Sequence, residues 1–149
     1  MIPEAVADVG LMLRRAQLLV LQDVLPGIEC QNLTPIAYSA LTLLDRHPGM
    51  RLYRLTELLA IRCTNCVTLI TGLERRKLVR RDKVQSRGRA VALFLTEEGK
   101  AVLTQTDDEI GTRPDPLSDR LGQEDADRLL QLLRKLVESG PAKPLFLDR

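Results

Sequence analysis

The stretch from Arg54 to Thr96, RLTELLAIRCTNCVTLITGLERRKLVRRDKVQSRGRAVALFLT, leaves little freedom in how this chain folds. Two helical patterns lie in it with only a tight turn between them. Residues 54–61 put Leu55, Leu58 and Leu59 on one side. After a turn at Arg62 and Cys63, with Thr64 as the expected cap, a second helix to about Lys77 turns Cys66, Leu69, Ile70 and Leu73 inward at i, i+3, i+4 and i+7. Its other face carries Asn65, Val67, Thr68, Thr71 and Gly72, short side chains suited to close approach to a groove. Val79–Val84 and Ala90–Leu95 then read as two strands around the loop QSRGR, in which Gly88 supplies a positive φ. The pattern predicts helix, turn, helix and hairpin.

Charge gives that element a direction. Between positions 75 and 89 eight basic residues face only Asp82, although the whole chain is +2. Residues 97–128 hold ten acids against four bases. One region is built to meet anions and another to avoid them. An anionic polymer is the expected partner, and a solvated basic face is the plainer alternative. With no Trp, two Tyr and two Phe, the chain lacks the rings on which single-stranded nucleic acid stacks, so a duplex is the better fit. At 149 residues, 44% hydrophobic and 28% charged, one globular domain with an aliphatic core is expected.

The flanks are helical. Residues 4–25 repeat Val6, Val9, Leu13, Ala16, Val20 and Val24 at helical spacing, and Pro26-Gly27 is expected to stop them. Leu18 to Leu21 read LLVL, apolar on every side, and such a helix must be covered all round. Residues 10–25 are therefore read as part of a dimer interface, with a central core helix as the alternative. After a connector at 28–33, Thr34 caps a helix over 35–46 with Pro35 in its first position, and His47-Pro48-Gly49 ends it. A short strand is expected within 50–53. Thr96 caps a helix to about Ile110, and Gly111, Pro114 and Pro116 then leave a loop or kink. Residues 123–138 carry the last stripe: Ala126, Leu129, Leu130, Leu133, Leu136 and Val137. The tail offers Leu145, Phe146 and Leu147 for docking on a partner.

In this order the elements resemble the MarR family of transcriptional regulators. The resemblance covers nearly the whole chain and is strongest from Leu33 to Gly99. It rests on LTPIAYSALTLL, on LTELLAI followed by CTNCVTLITGLERRKLV, and on RAVALFLTEEG, which is similar to the family's second wing strand and next helix start. It implies a mainly α fold with a small β-hairpin wing, a winged helix-turn-helix flanked by dimerisation helices. Residues 1–149 would form one domain, with 34–96 binding DNA and 1–33 and 97–149 dimerising. It further implies a cytoplasmic repressor that binds an inverted repeat in double-stranded DNA as a homodimer and is released by a small aromatic or phenolic inducer.

By the same resemblance Thr64, Asn65, Val67 and Thr68 fall where recognition helices touch bases. Arg89 falls at the wing arginine, with Arg87 beside it. Arg62, Arg81, Lys83, Arg87 and Arg89 are expected to neutralise phosphates. Five positions depart from the family pattern. Arg87 replaces an orienting Asp, Arg62 a capping Ser and Lys77 a Gly, and Thr68 and Gly72 stand where longer polar or basic side chains are frequent. At position 77 either a non-glycine residue takes a positive φ or the turn differs.

Cys63 and Cys66 form a CxxC. Without a second pair this is a weak zinc signal, and no metal is expected. A redox switch is the alternative function. Cys63 lies at a predicted helix start beside Arg62, a setting in which thiols become reactive, while Cys66 also fits as a small core side chain. A winged-helix protein-interaction module without operator specificity is a further alternative. No Ser/His/Asp set, paired carboxylates or Gly-rich phosphate loop is evident, so no enzyme and no cofactor is expected. No apolar run approaches membrane-spanning length, and no membrane role is expected.

Overall fold

A computed structural model describes residues 4–83, 91–112 and 115–140. Its elements are α1 (Glu4–Cys30), α2 (Pro35–Arg46), β1 (Met50–Arg51), α3 (Leu52–Leu59), α4 (Cys63–Arg75), β2 (Val79–Lys83), β3 (Val91–Leu95), α5 (Glu97–Gly111), α6 (Pro116–Leu121) and α7 (Gln123–Glu138). The three strands form one antiparallel sheet in the order β1-β3-β2, with Met50 opposite Leu93 and Arg81 also opposite Leu93 on the other side. This is the winged helix-turn-helix arrangement expected from the sequence.

The core sits where α2, α3, α4 and β3 meet. Leu41, Leu44, Leu55, Cys66, Ile70 and Leu93 are all essentially fully buried there, and Ile28 enters from the end of α1. Local chemistry places these elements. Thr34 accepts from the Ala37 N–H at 3.2 Å, with Pro35 next to it, and so starts α2. Thr96 accepts from the Gly99 N–H at 2.9 Å and starts α5. The same Thr96 hydroxyl donates to the Lys77 carbonyl, and its N–H donates to the Leu78 carbonyl, so the start of α5 is stitched to the end of α4. A Cβ on Gly99 would lie 2.1 Å from the Leu78 oxygen. Glycine is the residue this close approach permits.

Three helices end alike, each without glycine. After α1, α3 and α4 the left-handed residue is Asn32, Ala60 or Lys77, at φ 52°, 51° and 59°. In each case its N–H bonds three residues back and the next N–H bonds five back. For Lys77 these are Lys77 to Glu74 at 2.8 Å and Leu78 to Leu73 at 3.0 Å. That paired closure satisfies the last carbonyls of the helix. The sequence left two options at Lys77, and the chain takes the positive φ.

Several expectations are corrected. Pro26-Gly27 does not stop α1, which runs on to Cys30. An interior proline costs about 3 kcal/mol. Against that, continuing the helix drives Ile28 into the core and brings Gly27 so close to α5 that a Cβ would sit 2.9 Å from the Ile110 side chain. Helix α3 begins two residues early, because only Met50 and Arg51 pair with β3. Leu58 is not inward but 42% exposed. It borders an open cavity of about 470 Å³ floored by Leu43 and Met50, with Arg51 and Arg54 at its rim. Helix α4 starts at Cys63 with Arg62 as its cap residue, so Thr64 lies inside the helix and caps nothing. Where a loop or kink was expected, Asp115 accepts from the Leu117 N–H at 3.0 Å and, with Pro116, starts α6. Helix α7 matches its expected span. Ala126 is its buried residue, while Leu130, Leu136 and Val137 are exposed on the single chain. The expected tail contacts of Leu145, Phe146 and Leu147 lie outside the described residues.

Candidate nucleic-acid interface

Helix α4 divides along its length. Cys66, Ile70 and Leu73 are buried, while Cys63, Thr64, Asn65, Val67, Thr68 and Gly72 are exposed. The outer face carries no long side chain before Arg75. Thr68 turns its hydroxyl back to the Thr64 carbonyl at 3.1 Å, and Asn65 has its amide free at the surface among the described contacts. No side chain caps the first turn at Arg62, so the helix presents its own positive end there. This outward set, Arg62, Thr64, Asn65, Val67 and Thr68, is the one the sequence singled out, brought together on one surface.

The basic run behaves differently from its count. Arg76 spends its guanidinium on the end of α1, donating to the Asn32 carbonyl at 2.7 Å and the Gln31 carbonyl at 2.8 Å. Arg80 lies 4.6 Å above the Phe94 ring and pairs with Asp82. The Nε of Arg81 meets Glu74 Oε2 at 2.8 Å, and its Nη2 donates to Thr71 Oγ1 at 3.1 Å. Three of the cations are therefore tied to the protein's own carbonyls, carboxylates and rings. Arg75, Lys77 and Lys83 are exposed. Arg87 and Arg89, the wing-tip residues named from the sequence, lie outside the described residues, as does Gly88.

Cys63 and Cys66 differ sharply. Cys63 is exposed at the first residue of α4, whereas Cys66 is buried, and burial pushes its thiol up. Cys66 is a core side chain. Cys30, at the end of α1, is exposed. Among the described residues no three of His, Cys, Asp and Glu come together as metal ligands, and no helix is long and apolar enough to cross a membrane.

No protein-family model matches the chain, and no curated protein does. Solved structures do. The transcriptional repressor CouR bound to a 23-mer DNA duplex is 33% identical, with a TM-score of 0.78 over 91% of this chain and 97% of that one. CouR bound to p-coumaroyl-CoA aligns over 94% and 99%, with a TM-score of 0.77. The chain belongs to the MarR family of transcriptional regulators. NadR in complex with 4-hydroxyphenylacetate is 25% identical, with a TM-score of 0.77 over 94% of this chain and 98% of that one. These MarR-type neighbours are regulators rather than enzymes. Set in the MarR frame, Lys77 keeps the family's left-handed turn without the family's glycine.

What Glu74, Thr71 and Asn32 do is not visible in the sequence. Each meets its arginine across a helix–strand or helix–helix junction, and no periodicity in the chain signals such a meeting. The one hint was an acid, Glu74, in a segment otherwise rich in cations.

Proposed function

We propose that this protein is a ligand-responsive transcriptional repressor that binds an inverted repeat in double-stranded DNA as a homodimer, in the cytoplasm. The exposed, short-chained outer face of α4 carries this reading, because it lets a helix seat deeply in a major groove. Asn65 is placed to read adenine through its amide, Thr64 and Thr68 to meet base edges, and Val67 to pack on a thymine methyl. Arg62 and Lys83, with Arg87 and Arg89 at the wing, neutralise phosphates. The binding of a DNA duplex by CouR supports it.

Residues 1–33 and 97–149 serve as the dimerisation region, with a second copy of the chain covering the exposed apolar faces of α1 and α7. Support comes from Val9, Leu13, Leu18 and Leu19 on α1 and from Leu132, Leu136 and Val137 on α7, all exposed on the single chain. The inducer is a small aromatic or phenolic acid or its ester, by analogy with the ligands of NadR and CouR.

Fluorescence anisotropy with tiled duplexes from the DNA upstream of the protein's own gene tests the proposal against random duplex. One fragment should bind with strong salt dependence, and Asn65→Ala should reduce its preference over random DNA by about 1–3 kcal/mol. Equal affinity for every duplex would leave a non-specific or protein-binding module instead. A thiol switch is a second reading, favoured by the exposure of Cys63 at the first residue of α4. Peroxide should then weaken DNA binding by wild type and leave Cys63→Ser unaffected.

A further inference from the structure

Glu74 is an acid on the helix assigned to reading DNA, where a carboxylate repels phosphate unless it has another task. Its partner shows the task. Arg81 sits on β2 directly opposite Leu93, so both side chains project from the same face of the sheet. Val79 opposite Leu95 lies on that face too, and Val79, Leu93 and Leu95 are all buried. Arg81 therefore issues from the face that carries Val79, Leu93 and Leu95, and its guanidinium reaches across to α4. Its neighbours Arg80 and Asp82 lie on the opposite face with Phe94.

On reaching α4, the guanidinium lies along one turn. Thr71 and Glu74 are i and i+3 on the helix and offer an oxygen each, at 3.1 and 2.8 Å. The two charged side chains are only 34% and 31% exposed, so solvent screens the pair less than it screens an open surface pair. A guanidinium held at two points also keeps a fixed plane and direction, which a single ammonium contact would not give.

We propose that Glu74 and Arg81 are a positioning pair that sets the angle between the wing and the recognition helix. Arg81 is thereby withdrawn from the phosphate contacts. The inference rests on the DNA-binding reading above and assigns within it which cation serves the protein and which serve the duplex. It also explains why an acid stands in a basic segment: without Glu74 the wing and the helix meet DNA at unmatched angles, and one contact is made at the expense of the other.

The test uses full-length protein and the tightest upstream duplex, with anisotropy measured across a salt series for Glu74→Gln, Arg81→Gln, the exchange Glu74→Arg/Arg81→Glu, and Lys83→Gln as a phosphate-contact control. Glu74→Gln should weaken binding about tenfold although it removes a negative charge, and the exchange should recover most of the loss. Arg81→Gln should weaken binding comparably with the salt slope unchanged, whereas Lys83→Gln should lower the slope by about 0.9. Tighter or unchanged binding by Glu74→Gln, or a slope lowered by about 0.9 in Arg81→Gln, would overturn the pair. So would a fall in melting temperature for Glu74→Gln with affinity intact, which would make the contact structural only. If wild type prefers no duplex, the DNA reading itself fails, and the pair's role fails with it. A wild type that binds selectively while Glu74→Gln is indifferent sinks the pair alone.

Discussion

The winged-helix lobe and the helices that flank it solve the same burial problem in opposite ways. In the lobe, Leu41, Leu44, Leu55, Ile70 and Leu93 close on one another, and the only large apolar side chains left out are Tyr53, Leu58 and Val67 among the described residues. Along α1 nearly every apolar residue from Val6 to Val20 remains exposed, as do Leu130, Leu132, Leu136 and Val137 on α7. A patch of that extent marks an interaction surface. The lobe is finished as a single chain, and the base is not. The lobe also carries the cations and the short-chained helix face, while α5 to α7 carry the acids. Shape and charge thus separate the part proposed to meet DNA from the part proposed to meet a like chain.

The largest expected effect breaks the base and spares the lobe. Leu18→Lys/Leu132→Lys places charges in the apolar cover and should weaken dimerisation by about 4 kcal/mol, roughly a thousandfold. Light scattering should show monomers while circular dichroism keeps its helical signal. A variant that stays dimeric would place the interface elsewhere.

Next comes the junction between the two regions. Gly99→Ala pushes a Cβ into the Leu78 carbonyl at the point where Thr96 stitches α5 to α4. It should cost about 2–3 kcal/mol in urea unfolding, since backbone rather than a flexible side-chain end must yield. No loss would mean that the two elements pack less closely than described.

Much of this was readable in advance, and the division is physical. The lobe was legible because its signals are local: Thr34-Pro35 and Thr96 as caps, the i, i+3, i+4, i+7 stripe of α4, and alternation in β3. What escaped depends on contacts between distant residues. Pro26 looked like a stop because the gain from burying Ile28 and from seating Gly27 on Ile110 is tertiary. Leu58 looked inward because its spacing ignores the cavity beside α3. The eight cations read as one basic run because nothing in their spacing shows that Arg76, Arg80 and Arg81 are internally engaged. The short helix α6 does have a local signal, Asp115 as a cap before Pro116, but Pro116 also reads as a breaker beside Gly111 and Pro114.

Smaller effects sharpen the account within the lobe. Lys77→Gly should raise stability by about 1 kcal/mol in the same urea titration, because the left-handed turn after α4 then carries no Cβ. An unchanged or lower midpoint would show that the Lys77 side chain contributes more than its strain costs.

The smallest effect lies where α2 meets α5. Tyr38 donates to Asp107 Oδ1 at 2.8 Å, and burial, then that hydrogen bond to a carboxylate, push its hydroxyl up to about 12 from the ordinary 10. A raised pKa in the folded state means that the protonated form favours folding. That contribution is whole below pH 10 and is lost as pH rises from 10 to 12. Tyr38→Phe should cost under about 1 kcal/mol at neutral pH. Its melting temperature should fall less steeply than that of wild type between pH 10 and 12, and parallel curves would deny the contact.

Sedimentation equilibrium of the unmodified chain at low micromolar concentration, without DNA, tests the contrast between the two regions most directly. A mass twice the 16.7 kDa of one chain is the result expected when a second copy covers α1 and α7. A single-chain mass at that concentration would contradict it.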